Sequence, residues 1–359
     1  MQALVAERSG QLHVAEVPAP EPEPGQAIVR LSASAVSPGT ELRMLYRDDG
    51  TTPGHPGWPA VGAFGYLGAG EVVQLGEGTE GIAVGDRVSC GRAWGIHREL
   101  IETPASSLIR LPDDVDDVAG AAAYWAVPPL CGILAAGPRF NDDVAVIGLG
   151  PLGLCAVQML TPWSRRVIAI DHVGSRCELA RRYGALAIDA SETDPETALG
   201  ELLPERPSVV LQVAGTPSAL ELALAIVRPK GDVVNVGSLP KLEGVDLFWP
   251  MQISGARLLP IHRPGTGSPQ GGGPSSPRHA YLPEVFELIQ RGRLDVAGLC
   301  RWVLPIEAAP RVFPALRDHP ELGPGIAFRW DGADTERDDG VAFEEALSAL
   351  EHAAPASGN

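Results

Sequence analysis

Positive charge is scarce in this chain: 28 lysines and arginines stand against 45 aspartates and glutamates over 359 residues, a formal net charge of -17. A surface of that sign repels phosphate backbones and anionic headgroups, which argues against nucleic acid or a membrane as partner and for a small molecule. Cysteine is sparse too. Cys90, Cys131, Cys155, Cys177 and Cys300 stand singly, so no adjacent pair offers a disulfide framework or a CxxC metal site. The opening "MQALVAERSGQLHVAEV" reaches charge within seven residues, and no run is seen to approach the roughly 20 apolar residues of a membrane span. A soluble protein of the reducing cytoplasm is expected.

What is present falls into two textures, and the length suits two domains with a core each. Residues 1–125 read as strands and turns. In "IVRLSASAV", Val29, Leu31, Ala33 and Ala35 alternate with Arg30, Ser32 and Ser34, the period of a half-buried strand. "GEVVQLGEGTEGIAVGDRV" adds Val-rich runs cut by glycines, the pattern of a small β-barrel. Within 126–262 strands alternate with helices: "VAVIGLG", "PLGLCAVQML", "RVIAID", "SRCELARRYGA", "ALAID", "SVVLQVA", "PSALELALAIV" and "DVVNVGS". Near-continuous apolar strands in that alternation predict an α/β, doubly wound parallel sheet. Residues 263–280 are rich in Gly, Pro and Ser and are expected to form a mobile loop. Residues 281–330 are expected to return to the first domain. In the acidic tail, 331–359, Phe343, Leu347 and Leu350 share one helical face, as a docked terminal helix would require.

The strongest signal is a Gly-rich turn between a strand and a helix. Gly148 allows the tight turn, Gly150 admits a pyrophosphate to the backbone, and Gly153 permits close helix packing. Pro151 suits the first helical position, and with Leu152 it opens a helix whose free N–H groups favour phosphate. Asp171, ending the next strand, is placed to accept from an adenosine ribose and to repel a 2′-phosphate, which favours NAD(H) over NADP(H). Arg176 could attract such a phosphate, but reads better as part of a solvated helix face. Ala214, Gly215, Val236 and Gly237, after the later strands, complete the expected cofactor set.

Together with "RGRLDV" and "PIEAAP", these segments resemble the medium-chain dehydrogenase/reductase superfamily over roughly residues 1–330. "SPGTEL" and "GYLGAG" are similar to segments of the subgroup containing bacteriochlorophyllide a dehydrogenase. The resemblance implies a GroES-like β-barrel catalytic domain, a Rossmann domain, hydride transfer between them, and homodimers or homotetramers joined at the Rossmann sheet edge near "ARLLPIH". Where zinc members carry their catalytic ligands, this chain has Pro38, Tyr66 and Tyr124, none of which binds zinc in the usual way. His55 reads as a turn residue. The structural-zinc lobe is missing, with Cys90 alone in "RVSCGRAWGIHREL".

The expected chemistry is therefore zinc-independent interconversion of a secondary alcohol and a ketone, with hydrogen bonds supporting the substrate oxygen. Tyr66 and Tyr124 are candidate donors, or else an aromatic wall. Thr40, in the loop expected at "AVSPGTELRMLY", residues 35–46, could hold the substrate hydroxyl, unless it is only a turn residue. Glu41 is a further candidate, although a structural pair with Arg43 is the simpler reading. His97 and His262 read as satisfied histidines, and Trp58, Trp94 and Trp125 as pocket lining or core. An NADPH-dependent enoyl or quinone reductase and a catalytically silent nucleotide-binding protein remain as alternatives.

Overall fold

Alternation and apolar runs resolve into two large sheets in the computed structural model, which describes residues 1–7, 11–46, 65–90, 95–238, 244–261, 277–330 and 343–353. His55, Trp58, Trp94, His262 and most of the Gly/Pro/Ser stretch lie outside the described residues. The helix Pro277–Gln290 nonetheless begins inside the stretch expected to be loop. A proline preceded by serines is a helix-start signal that the low-complexity composition hides.

The catalytic sheet is seven-stranded. Its centre is Gln26–Ala35, which pairs antiparallel with Leu67–Leu75, Leu100–Pro104 and Gly325–Arg329. Cys300–Pro305 lies parallel to Gly325–Arg329, so two strands from late in the chain complete a sheet begun by the N-terminal part. The second sheet is six-stranded and wholly parallel in its pairings, in the order Leu186–Asp189, Arg166–Asp171, Asp143–Ile147, Val209–Gln212, Asp232–Asn235, Arg257–Pro260. In sequence order that is 3-2-1-4-5-6, with the direction of winding reversing between Asp143–Ile147 and Val209–Gln212. A crevice at the carboxyl ends of those two strands is where such sheets take ligands.

The join between the sheets corrects one expectation. The helical run Asp117–Ala136 has 20 residues and the apolar character of a membrane span, although no such run was anticipated. Most of it is buried inside the protein, and it serves as a core element. Its Val118, Ala121 and Ala122 pack in one cluster with Val146 and Leu154 of the Rossmann half. Trp125, in the same run, is 1% exposed and is core rather than pocket lining. The terminal helix Phe343–Ala353 docks on the catalytic domain through Phe343 and Leu347, with the Phe343 ring edge-on to Trp302 at 5.5 Å.

Asp143 opens the first Rossmann strand and is nearly enclosed. Burial pushes its carboxyl upward, but hydrogen bonds from Arg165 and Arg166 outweigh that and hold it below the usual carboxylate range. A depressed folded-state value adds stability that is present above the unfolded pKa and lost as pH falls through the folded one. Asp143→Asn should therefore cost about 1–2 kcal/mol at neutral pH, discounted for the partly exposed arginines, and the deficit should shrink under acid. Urea melts of both proteins at neutral and acidic pH measure this.

Candidate functional site

The segment Pro38–Tyr46, expected to be a loop, is an α-helix. Ser37 precedes it as the cap, Pro38 takes the first helical position, and the Glu41 N–H closes on the Ser37 carbonyl at 2.8 Å. The Glu41 side chain reaches back, and its Oε1 accepts the Ser37 N–H at 2.8 Å, satisfying a donor that helix starts leave open. Glu41 does not pair with Arg43. Its other oxygen meets His97 Nε2 at 3.0 Å with both side chains fully buried, while Arg43 Nη1 donates to the Ser238 carbonyl at 3.2 Å. Residues two apart on a helix face different ways, so Glu41 turns into the barrel and Arg43 out toward the Rossmann half.

Over this helix start lies Tyr66, whose phenol donates to Ser37 Oγ at 2.6 Å. Burial pushes the phenol up to about 12; the Ser37 and Thr40 hydroxyls pull it down, and Glu41 and Tyr124 push it further up. Tyr66, Thr40 and Tyr124 thus converge, and the phenol stays a neutral donor through ordinary pH. Ser37 and His97 complete the group and were not singled out as functional. Ser37 had a local signal, a cap residue before a proline. His97 had none, because its partners lie 56 and 63 positions away.

At the other side of the crevice the glycines are used as their spacing demands. Gly148 has φ +92° and lies against the Ala214 backbone, where a Cβ would come within 2.6 Å of its nitrogen. A Cβ on Gly153 would strike the Gly148 carbonyl oxygen at 1.9 Å, so helix and strand touch there. At Gly150 a Cβ would meet nothing within 4 Å. That open face begins the helix Pro151–Leu160, which no side chain caps, so Leu152 and Gly153 offer N–H groups to it. Asp171 is 6% exposed and accepts from Leu149 N at 2.6 Å and Val173 N at 2.9 Å, tying the glycine turn to the next strand. Arg176 is not on a solvated face. Its side chain is 17% exposed, lies 3.9 Å from Asp171 and donates to the Pro320 carbonyl at 3.0 Å. Gln212 Oε1 and Asn235 Oδ1, at the carboxyl ends of adjacent strands, are buried without partners. Gly237 packs between Gln212 and Gly215. Val236 is buried and continues from Asn235 toward that glycine.

Comparison with known proteins bears on this geometry. A family model described as zinc-binding dehydrogenase matches residues 151–263, and the alcohol dehydrogenase GroES-like domain matches residues 23–113. The chain is 28% identical over 265 residues to an alcohol dehydrogenase of Geobacillus stearothermophilus, covering 66% of this chain and 76% of that one. It is 25% identical over 356 residues to a probable zinc-binding alcohol dehydrogenase of Mycobacterium tuberculosis, covering 88% and 85%. Among solved structures, alcohol dehydrogenase TADH from Thermus sp. ATN1 superposes with a TM-score of 0.74 at 26% identity, covering 92% of this chain and 99% of that one. The chain belongs to the medium-chain dehydrogenase/reductase superfamily and is an oxidoreductase of the alcohol dehydrogenase kind.

The family implies two bound groups. Among the described residues the donors assemble no zinc site, since no three His, Cys, Asp or Glu side chains come together. Glu41 and His97 are committed to each other, and the cysteines are all buried, with burial pushing the Cys131 and Cys177 thiols up to about 11. A nicotinamide dinucleotide does fit. The open backbone at Gly150, the uncapped helix start and the unpartnered Gln212 and Asn235 oxygens form a cradle of matching chemistry. Gly150→Ala should therefore fold with the melting temperature of the parent yet lose at least about tenfold in NADH affinity, a steric block of close backbone approach. Gly153→Ala should instead be strongly destabilised. Thermal melts with fluorescence titration separate the two.

Proposed function

We propose that this protein is a zinc-independent, NAD(H)-dependent oxidoreductase that interconverts a secondary alcohol and a ketone. The observation that carries the reading is the neutral Tyr66 phenol, bonded to Ser37 and clustered with Thr40 and Tyr124, at a position where the family resemblance implies a metal ligand. A bound dinucleotide supplies the hydride or takes it up. The chain's own residues do the rest. The glycine turn and the helix start at Pro151 seat the phosphates, and Asp171 receives the ribose hydroxyls. Tyr66 donates its proton to the developing alkoxide in reduction, and Thr40 orients the substrate oxygen. Arg43, bound to the Ser238 carbonyl, and Arg176, bound to the Pro320 carbonyl, tie the catalytic and nucleotide halves together.

The preference for NAD(H) rests on Asp171. Its buried carboxylate would repel a 2′-phosphate, and the neighbouring arginine, Arg176, is already directed to Asp171 and Pro320, while the exposed His172 lies 3.5 Å from the same carboxylate. The same reading has two chains meeting along the edge strand Arg257–Pro260, and a place in specialised metabolism of the cytoplasm.

Titration with NADH and NADPH should show NADH bound at least about tenfold more tightly. Turnover should appear with a member of a panel such as isopropanol, cyclohexanol or L-threonine, and Tyr66→Phe should lower kcat by about a hundredfold with little change in NADH affinity. Because Tyr66 loses its proton only as pH rises through about 12, ketone reduction should show no alkaline loss from this group at lower pH. A preference for NADPH would overturn the cofactor assignment. Tight NADH binding with no turnover on any alcohol or ketone would favour a silent nucleotide-binding protein.

A further inference from the structure

Two ionisable side chains are enclosed in the catalytic domain at a distance from the reacting groups. Glu41 and His97 have no exposed side-chain surface and face each other at 3.0 Å. Their remaining contacts run in two directions. Inward, His97 Nδ1 meets Ser34 Oγ at 2.8 Å, and the same oxygen accepts the Trp330 indole N–H at 3.0 Å. The indole can only donate, so Ser34 Oγ accepts it, and the carboxylate facing Nε2 requires a hydrogen on that nitrogen. Phe313 and Phe328 close on the imidazole edge-on at 6.2 and 5.7 Å. Outward, Glu41 holds the Ser37 N–H, and the Ser37 hydroxyl receives the Tyr66 phenol. The ring also braces Tyr66 from its other neighbour. Gly65, at φ +75°, lies so close that a Cβ would fall 2.3 Å from His97 Cδ2.

We propose that Glu41 and His97 are positioning residues that fix Tyr66 from both sides, through the Ser37 hydrogen bonds and through the backbone at Gly65. Hydrogen bonds run without a break from the Trp330 indole through Ser34 and His97 to Glu41, and from Glu41 through Ser37 to Tyr66. A buried carboxylate and imidazole tolerate no drift, because separating them strands a charge away from water. The pair therefore gives the site by hydrogen bonding the rigidity that coordination would otherwise supply. This inference rests on the reading of Tyr66 as proton donor, and the test keeps the two apart.

The variants are His97→Phe, which keeps an aromatic ring against Phe313 and Phe328 but removes the donor to Glu41, and His97→Gln, which restores a donor. Each is made in the parent and in Tyr66→Phe, and labelled with meta-fluorotyrosine. Fluorine NMR then reports Tyr66 by the signal that Tyr66→Phe lacks. His97→Phe should move or broaden the Tyr66 signal while the other tyrosine signals stay put. It should lower kcat on the panel alcohol by about tenfold to a hundredfold, as a small misplacement does, with NADH affinity unchanged. His97→Gln should recover part of the loss, and in the Tyr66→Phe background His97→Phe should cost less than about twofold, since coupled residues are not additive. Should His97→Phe fail to fold, Ser34→Ala frees Nδ1 without stranding a charge and should shift the same signal. An unmoved Tyr66 signal, or losses that multiply in the double variant, would overturn the proposal. Full activity in Tyr66→Phe would overturn the donor assignment instead, and the fluorine signal would still decide the positioning role.

Discussion

A carboxylate sealed from water must be matched or it destabilises the fold, and the matching of Glu41 organises the catalytic half of this protein. One oxygen fixes the start of the helix Pro38–Tyr46 through the Ser37 N–H, and the other meets His97 across the barrel. Ser34 and Trp330 then draw in the central strand Gln26–Ala35 and the residue that follows the late strand Gly325–Arg329. Three distant stretches of chain, around residues 34–41, 97 and 330, are thus pinned to one point, and Tyr66 stands directly above it. The chemistry proposed for the phenol depends on that anchor for its geometry and on burial for its protonation state.

The nucleotide half obeys a different constraint, close backbone packing. Gly153 touches the Gly148 carbonyl, Gly148 lies against Ala214, and Gly237 fits beside Gly215. Three loops at the carboxyl ends of neighbouring parallel strands can approach one another only because these positions lack side chains. Asp171 then secures the turn by accepting the Leu149 N–H, and the selectivity proposed for the cradle rests on the same carboxylate.

The nucleotide half was legible in the sequence because its signals are local. Buried parallel strands read as apolar runs, and glycine spacing marks the turn. The catalytic half was legible in outline only. Ser37 and Pro38 spell the start of the helix Pro38–Tyr46, but a serine, a proline and a glycine in succession fit a loop equally well. Arg43 seemed the natural partner of Glu41 until its place on the opposite helix face was known, and His97 could not be found from a sequence in which its partners are far away. Arg176 looked solvated because the segment that covers it, at Pro320, is 144 positions downstream. Contacts between distant segments leave no periodicity, and the candidate site is made mostly of such contacts.

The most direct measurement of the central claim is the metal content of the active protein, set against its rate of hydride transfer before and after exhaustive chelation. The account predicts far less than one zinc per chain and a rate that chelation leaves unchanged. Zinc at one per chain, with a rate that falls on its removal and returns when it is restored, would contradict it.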